Sequence, residues 1–196
     1  HLPPIEQQVV VDLYCGVGYY SIPLLLHAGV SHVHLLEWNP HSILALRHNL
    51  TANKVDTGRF TIYHGDNRLT VGGMGVEITP NLNANKVDTG KSSPPLHGVA
   101  DRVLLGLLPS SKEGWVLAAQ CLNKERGGIL HVHENILQEE VENWGKVVLV
   151  KAMKELFASL SVPMEITCGH IERVKSYAPR VLHIVVDLIC VPVQKE

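Results

Sequence analysis

The sequence lacks the residue spacings that hold metal ions in proteins. Its cysteines are scattered and form no C-x-x-C pair: Cys15, Cys121, Cys168 and Cys190. Its 12 histidines form no H-x-x-x-H or H-E-x-x-H pattern, the spacings that bring two ligands together on a helix. We therefore predict no metal site. Because no apolar run approaches membrane-spanning length, we also predict no membrane segment.

An excess of charge of one sign is also missing. The 17 basic residues are balanced by 19 acidic ones and no basic stripe stands out, so the composition alone does not indicate a nucleic-acid-binding protein. Unpaired cysteines without a signal-peptide pattern predict a reducing, cytoplasmic location. The length of 196 residues, of which 45% are apolar, suits one α/β domain with a proper core.

The most informative stretch is an apolar strand followed by a glycine turn and a helix. Val9–Val11 is a run of β-branched residues, typical of a strand that is covered on both faces. The glycines of Cys15–Gly18 allow a tight turn and let a ligand lie against the backbone. A helix is predicted over Tyr20–Ala28, with Pro23 in its first turn. This order predicts the first half of a nucleotide-binding βαβ unit.

The second half of that unit ends on an acidic residue. Val33–Glu37 is predicted to be a strand, and Glu37 follows Gly18 by 19 residues, the interval that places a carboxylate on ribose hydroxyls. Tyr20-Ser21 occupy the place of the third glycine of the dinucleotide motif, so nothing cradles a pyrophosphate. We therefore favour a nucleoside without phosphates, which points to S-adenosylmethionine. The alternative is an ordinary turn followed by an exposed glutamate.

The remaining elements alternate between strands and helices until the last two strands. The further predicted strands are Phe60–Tyr63, Arg102–Leu107, Ile129–His133, Pro163–His170 and Val181–Val191. The further predicted helices start at Pro40 and cover Trp115–Leu122 and Glu139–Leu160. Alternation predicts a mostly parallel sheet, and the final pair without a helix between them predicts an antiparallel edge. This is the pattern of a class I methyltransferase-like (Rossmann-like) α/β fold.

Residues 68–100 interrupt the alternation. They are rich in Gly, Pro, Asn and Ser, and Ala84–Gly90 repeats Ala52–Gly58 without a change. We predict a disordered surface insert within a single domain that covers residues 1–196, with a functional lid as the alternative. Because the polar lead-in His1–Gln8 runs almost directly into a core strand, we expect that the N-terminal part of a longer protein is missing.

Several sequence blocks together resemble one family. The most specific are E-W-N-P-H at Glu37–His41, G-D-N-R at Gly65–Arg68 and G-L-L-P-S-S at Gly106–Ser111. With these blocks the chain closely resembles the tRNA wybutosine-synthesising protein 2 family, whose sister group is the tRNA guanine-N1 methyltransferases. The resemblance implies transfer of the 3-amino-3-carboxypropyl group of S-adenosylmethionine to the wybutosine-precursor base next to the anticodon of phenylalanine tRNA. Methylthioadenosine would be the by-product.

The resemblance also implies a set of cofactor-binding residues: Asp12, Cys15, Gly16, Gly18, Tyr20, Glu37, Trp38, Asn39, Asp66, Asn67, Leu107 and Pro109. Among these, Glu37 would hold the ribose, while Asp66 and Asn67 would meet the adenine edge. Trp38 is expected either to pack on the adenine face or to belong to the core.

The sequence identifies no clear general base. Asp101, His131 and His133 are weak catalytic candidates, because they are expected near the carboxyl ends of parallel strands, although ordinary polar strand-end residues would look the same. RNA contact is predicted for the connection between the last two strands, where basic side chains flank a tyrosine. The residues concerned are Arg173, Lys175, Tyr177 and Arg180. A solvated turn is the alternative.

Two further functions stay open at this point. A tRNA (guanine-N1) methyltransferase would use the same cofactor in another orientation, and a catalytically inactive S-adenosylmethionine-binding fragment would keep only the fold. Leu108 stands where exocyclic-amine methyltransferases have an Asn or Asp acceptor, which disfavours methylation of an exocyclic nitrogen. The resemblance also implies cofactor contacts by a serine and a lysine in a segment before the first strand, and we expect that segment to be missing from this sequence.

Overall fold

A computed structural model describes residues 2–78 and 90–193, and the described residues contain one mixed sheet of nine strands. The strands are β1 (Val9–Asp12), β2 (His32–Glu37), β3 (Phe60–His64), β4 (Val76–Ile78), β5 (Lys91–Ser92), β6 (Arg102–Leu105), β7 (Gly128–Leu137), β8 (Met164–Ala178) and β9 (Val181–Pro192). Their order across the sheet is β5-β4-β3-β2-β1-β6-β7-β9-β8.

Six α-helical segments connect the strands. They are α1 (Ser21–Pro23), α2 (Pro40–Ala52), α3 (Asn67–Thr70), α4 (Trp115–Cys121), α5 (Val141–Asn143) and α6 (Leu149–Ser159). Two π-helical segments, Leu24–Ala28 and Trp144–Val148, continue α1 and α5 directly. In the described ranges, no helix combines the length and the apolar character that crossing a membrane requires.

The sheet is parallel in its centre and antiparallel at both ends. Strands β3, β2, β1, β6 and β7 run parallel to one another. Strand β9 is antiparallel to β7, and β8 is antiparallel to β9. The prediction of a mostly parallel sheet with an antiparallel last pair is therefore confirmed. Its physical basis is that a parallel connection needs a crossover, whereas a short turn suffices for an antiparallel one.

Both faces of the central strands are buried, because successive side chains point to opposite sides of a sheet. Val11 belongs to an apolar cluster with side chains of α4 and α6, whereas Val10 belongs to a second cluster with side chains of α1 and α2. Leu36 and Leu35 divide in the same way between these two clusters. The unbroken valine run thus belongs to a strand covered on both faces, as its composition predicts.

The predicted insert is too wide. Residues 68–78 and 90–100 contain most of α3 together with β4 and β5, and β4 pairs with the central strand β3. Val71, Ile78 and Leu96 are fully buried, so these flanks are part of the folded domain. Residues 79–89, which include most of the second A-N-K-V-D-T-G copy, lie outside the described residues.

The last two strands are longer than their patterns indicate. Strand β8 continues to Ala178 and β9 starts at Val181, so the connection between them is only two residues long. Arg173, Lys175 and Tyr177 therefore lie on a strand, and the prediction that they belong to a loop is wrong. The pattern hides this because the outer part of β8 is exposed, which removes the apolar alternation that marks a half-buried strand.

Candidate functional site

A cavity of about 690 Å³ opens where the central parallel strands end. Its wall is formed by Leu13, Tyr14, Leu36, Glu37, Trp38, Gly65, Asp66, Asn67, Arg68, Gly106, Leu107 and Glu113. Most of these residues end a strand or directly follow the carboxyl ends of β1, β2, β3 and β6. Ligands of open α/β sheets bind at this edge, since the loops there diverge to either face.

The two glycines of the first turn have different tasks. Gly18 has a φ of +90°, and a Cβ at this position would lie 2.7 Å from Cδ1 of Leu46 and 2.9 Å from Cδ1 of Ile22. Gly18 therefore allows α1 and α2 to pack closely beside the turn. Gly16 has a φ of +53°, and a Cβ there would meet no atom within 4 Å. Open space next to bare backbone is what an approaching ligand needs, and only Gly16 provides it.

Glu37 fixes the shape of the site through its two carboxylate oxygens. Oε2 accepts a hydrogen bond of 3.0 Å from the backbone amide of Gly16, and Oε1 accepts one of 2.7 Å from the amide of Asn39. These bonds join the glycine turn to the end of β2. Each oxygen has a second lone pair, so Glu37 can still accept from a ligand hydroxyl.

Asp12 and Cys15 support the turn from behind the cavity wall. Asp12 is 2% exposed, and its carboxylate accepts hydrogen bonds from the hydroxyl of Ser21 (2.6 Å) and the amide of Tyr14 (3.2 Å). Burial raises the pKa of Asp12 to about 6 and raises the pKa of the buried Cys15 thiol as well. The structure therefore assigns both residues a structural position, although the resemblance implies direct cofactor contact.

Asp66 and Asn67 stand at the wall after β3. The guanidinium of Arg68 forms an ion pair with the carboxylate of Asp66 and lowers its pKa. Asn67 donates a hydrogen bond of 3.1 Å from Nδ2 to the carbonyl of Leu13, which ties the end of β1 to the turn after β3. The Asn67 side chain also forms a hydrogen bond with Tyr14, and its amide oxygen can accept from a ligand donor.

Trp38 is 72% exposed at the cavity wall, so the alternative that it packs in the core is wrong. Asn39 is turned away from the cavity, because its Oδ1 caps α2 by accepting a hydrogen bond of 3.0 Å from the amide of His41. The E-W-N-P-H block therefore contains two wall residues, Glu37 and Trp38, and a helix cap, Asn39.

The loop after β6 brings Leu107 to the wall and ties Pro109 and Ser110 to β7. The carbonyl of Pro109 accepts a hydrogen bond of 2.9 Å from the amide of Asn135. The hydroxyl of Ser110 donates one of 2.8 Å to Glu134, whose pKa is raised by burial. Pro109 thus fixes the loop but does not form the wall, where the resemblance implies a cofactor contact.

Tyr14, Arg68 and Glu113 belong to the wall although sequence reasoning did not select them as site residues. Arg68 lies inside the Gly65–Arg68 block and Tyr14 directly precedes the Cys15–Gly18 turn, so both could have been included on that ground. Glu113 follows the Gly106–Ser111 block by two residues, and no local pattern separates it from a surface glutamate.

Two of the three catalytic candidates are not at this edge. Asp101 precedes β6, at the amino end of the sheet, where its carboxylate accepts hydrogen bonds from the amide of Val9 (2.9 Å) and from Arg126 (3.0 Å). His131 lies in the middle of β7, with Nδ1 2.7 Å from Oδ1 of Asp187 and Nε2 3.3 Å from Arg102. The expectation that both residues lie near the carboxyl ends of the strands is wrong, since strand register places them elsewhere.

His133 does lie at the carboxyl edge. Its neighbour Val132 pairs with Leu105, the last residue of β6. The ring of His133 is 3% exposed, stands edge to face with Tyr20 at 5.0 Å, and has Nδ1 3.1 Å from Nε2 of His183. Burial lowers the pKa of His133 to about 4, so the ring is neutral at physiological pH.

Tyr20 stands beside the cavity without forming its wall. Its Cε2 is 4.0 Å from the position of a Cβ at Gly106, which does belong to the wall. Tyr20 is therefore not among the wall residues, and its nearest ring partners are Tyr19 and His133.

The basic side chains of the β8–β9 hairpin are partly paired. Arg180 forms an ion pair with Glu139, and Arg173 lies 3.5 Å from Glu142. No ion pair joins Lys175 to another residue of the described ranges. Both arginines are at least half exposed, so water screens these pairs and leaves the side chains accessible.

Comparison with solved structures defines the class of fold. The TYW2 of M. jannaschii, solved in complex with AdoMet, aligns over 96% of this chain and 70% of its own, with a TM-score of 0.72 and 24% identity. Trm5b of Pyrococcus abyssi aligns over 94% of this chain and 44% of its own, with a TM-score of 0.64 and 23% identity. At this identity the likeness concerns the fold alone.

Sequence comparison shows which proteins the chain is similar to. Residues 5–77 match the TRM5/TYW2 methyltransferase domain. A tRNA wybutosine-synthesizing protein 2/3/4 of Arabidopsis thaliana is 42% identical over 185 residues, and the tRNA wybutosine-synthesizing protein 2 homolog of Homo sapiens is 36% identical over 233 residues. Each alignment covers 94% of this chain, and the resemblance predicted from the motif blocks is confirmed.

The chain spans only part of these relatives. It covers 16% of the Arabidopsis protein and 46% of the human protein.

Proposed function

We propose that this chain is the catalytic domain of a tRNA aminocarboxypropyl transferase. It transfers the 3-amino-3-carboxypropyl group of S-adenosylmethionine to the wybutosine-precursor base next to the anticodon of phenylalanine tRNA and releases methylthioadenosine. The observation that carries the proposal is the similarity to tRNA wybutosine-synthesizing protein 2 along 94% of the chain, at up to 42% identity. A cavity at the ligand-binding edge of the sheet supports it.

The cavity wall fits the nucleoside part of the cofactor. Glu37, already held by two backbone amides, is placed to accept from the ribose hydroxyls with its remaining lone pairs. Asp66 and the amide oxygen of Asn67 are acceptors for an exocyclic amine, and the exposed ring of Trp38 offers a stacking face. The open side of Gly16 lets a ligand approach the backbone.

The charge of the wall also fits a cation. The wall contains one guanidinium, that of Arg68, and three carboxylates, those of Glu37, Asp66 and Glu113. When bound, S-adenosylmethionine supplies an electrophilic carbon attached to a positively charged sulfur. An acidic wall favours a positively charged ligand over a neutral one by Coulomb attraction.

The residues of the chain contribute orientation rather than a covalent nucleophile. Holding two reactants at contact distance and in line is worth roughly 7–11 kcal/mol of the barrier, which is enough to select one of three carbons around a sulfur. The loop that follows β6 contains Leu107, Leu108 and Pro109, and it brings Leu107 to the cavity wall. Leu108 offers no acceptor for an exocyclic amine. Choice of the carboxypropyl carbon therefore depends on how this edge orients the bound cofactor.

We further propose a cytoplasmic location. The four cysteines are all free, and three of them are buried, which suits a reducing compartment.

The experiment is to incubate the chain with phenylalanine tRNA that carries the precursor base and with S-adenosylmethionine. Chromatography of the nucleoside by-product should show methylthioadenosine. The Glu37→Ala variant is the control for background, and calorimetry with S-adenosylmethionine alone measures binding separately from turnover.

The other outcomes each exclude the proposal. S-adenosylhomocysteine as the dominant by-product would identify a methyltransferase, such as the tRNA (guanine-N1) enzymes. Cofactor binding without either by-product would identify an inactive binding module.

A further inference from the structure

Two tyrosines form an aromatic ladder beside the cavity. Tyr19 and Tyr20 follow the glycine turn, and their rings stand edge to face with centroids 5.2 Å apart at 82°. Tyr20 is in turn edge to face with His133, at 5.0 Å and 69°. The ladder therefore starts at a buried strand residue and ends on Tyr19, which is 78% exposed.

The ladder lies on one particular side of the cavity. Tyr20 is next to Gly106, in the wall segment that follows β6. Glu37 and Asp66, the groups that suit a nucleoside, follow β2 and β3 on the other side of β1. A ligand whose nucleoside end is held at Glu37 therefore has its other end toward Gly106 and the ladder.

We propose that Tyr19 is the stacking platform for the acceptor base of the RNA, and that Tyr20 and His133 are positioning residues that hold its ring. The inference rests on the proposed function, because it concerns the second substrate of the same site. A base that is modified must leave its stack, and unstacked RNA bases are commonly received by aromatic side chains.

The site contains two exposed aromatic surfaces for two bases. Trp38, 72% exposed, follows β2, and Tyr19, 78% exposed, stands edge to face with Tyr20, which is the neighbour of Gly106. One surface suits the adenine of the cofactor, and the other is left for the base that accepts the transferred group. Among the Trp, Tyr and Phe residues of the chain, Tyr19 and Trp38 are the two most exposed.

The support beneath Tyr19 is rigid. His133 is 3% exposed and its Nδ1 lies 3.1 Å from Nε2 of His183, so the inner end of the ladder is fixed by the sheet. A platform that is already ordered loses little conformational freedom when a base stacks on it, and this favours binding.

The test uses the full chain and phenylalanine anticodon stem-loop RNA in which 2-aminopurine replaces the acceptor base. Stacking on an aromatic ring quenches 2-aminopurine emission, so the signal reports the platform without any turnover. The variants are Tyr19→Leu, which keeps an apolar side chain but removes the ring, and Tyr19→Phe, which keeps the ring. Val17→Ala is the matched control, because it truncates another exposed side chain of the same turn.

We expect Tyr19→Leu to abolish the quenching and to weaken RNA binding about tenfold, in line with the contribution of one stacked base. Tyr19→Phe and Val17→Ala should match the wild type, and calorimetry should give one cofactor affinity for all four proteins. If Tyr19→Leu quenches and binds like the wild type, or if all variants lose cofactor binding, the inference is wrong.

Failure of this inference is separable from failure of the proposed function. A wild type that releases methylthioadenosine while Tyr19→Leu behaves normally would refute only the platform. A wild type that releases S-adenosylhomocysteine would refute the transferase, whereas the quenching would still decide whether Tyr19 receives the base.

Discussion

The parallel centre of the sheet and its antiparallel β7-β9-β8 end are built differently. In the centre apolar side chains lie on both faces of the sheet, as for Leu104 and Leu105 of β6, which belong to different clusters. At the antiparallel end one face is apolar, with Val186 in the core, while the other carries polar side chains such as Asp187 and His131. Several outer side chains of this end are exposed, including Val191 at 51%.

This difference separates two kinds of binding surface. Short parallel strands that end together leave a concave edge, and the cavity with Glu37 and Asp66 occupies it. The long hairpin extends beyond that edge and presents charged side chains, among them Arg173 and Lys175, to solvent. We therefore expect small-molecule binding to depend on the centre and contact with RNA phosphates to depend on the hairpin.

The largest effect on stability is expected for a substitution in the apolar core that the parallel centre and the antiparallel end share. Phe157 of α6 is 1% exposed and packs in the cluster that joins both regions, so Phe157→Ala should cost about 3–5 kcal/mol of unfolding free energy. Urea denaturation measures the loss, with Val147→Ala as the control because Val147 is 57% exposed. Equal midpoints for the two variants would show that the regions do not depend on one core.

The second effect contrasts one buried titratable group of each region. Burial raises the pKa of Asp12 from 3.8 to about 6, so the folded state binds this proton more tightly and stability falls as pH rises through that window, by roughly 3 kcal/mol. Burial lowers the pKa of His133 from 6.5 to about 4, so the folded state binds this proton less tightly than the unfolded state. The stability of the protein therefore falls as pH falls through that window.

Asp12→Asn and His133→Asn should therefore change the pH dependence in opposite directions. Relative to the wild type, Asp12→Asn should gain stability as pH rises from 4 to 6, while His133→Asn should gain it as pH falls from 6.5 to 4. Unfolding free energies measured at half-unit steps of pH test this, and parallel curves for both variants would contradict it.

The third effect should be confined to the parallel centre. Glu37→Ala removes a charged acceptor from the cavity wall and should weaken S-adenosylmethionine binding by about 1.5–3 kcal/mol. Calorimetry measures this, with Glu172→Ala on the exposed hairpin as the control for loss of one negative charge. If Glu37→Ala binds S-adenosylmethionine as tightly as the wild type, Glu37 does not hold the ribose.

The smallest effect on stability is expected at the hairpin. Replacing Arg173, Lys175 and Arg180 by alanine removes only exposed or half-exposed charges, each worth under about 1 kcal/mol of stability. Binding of tRNA should weaken, and its dependence on salt should flatten, because fewer counterions are released. Filter binding between low and moderate salt tests this, with cofactor affinity as the internal control. An unchanged dependence of tRNA binding on salt would show that these hairpin side chains do not contact RNA.

The elements of the central sheet could be predicted because their side-chain patterns are local. The valine run predicted a doubly covered strand, and the spacing from Gly18 to Glu37 predicted an acidic residue at the edge of the sheet. The insert boundaries could not be predicted in this way. Val71, Ile78 and Leu96 are isolated apolar residues that become buried only through contacts with distant strands.

The sequence by itself determined the class of fold, the resemblance to the tRNA wybutosine-synthesising protein 2 family and the presence of Glu37, Trp38, Asp66, Asn67 and Leu107 at one site, because strand ends and motif blocks are encoded by neighbouring residues. Only the tertiary structure decided the roles that depend on register and direction. It placed Asp101 and His131 away from the cavity, turned Asp12 and Asn39 into structural supports, and joined Tyr19, Tyr20 and His133 into a ladder. These outcomes depend on which side chains meet across strands that are far apart in the chain, and no local pattern records such meetings.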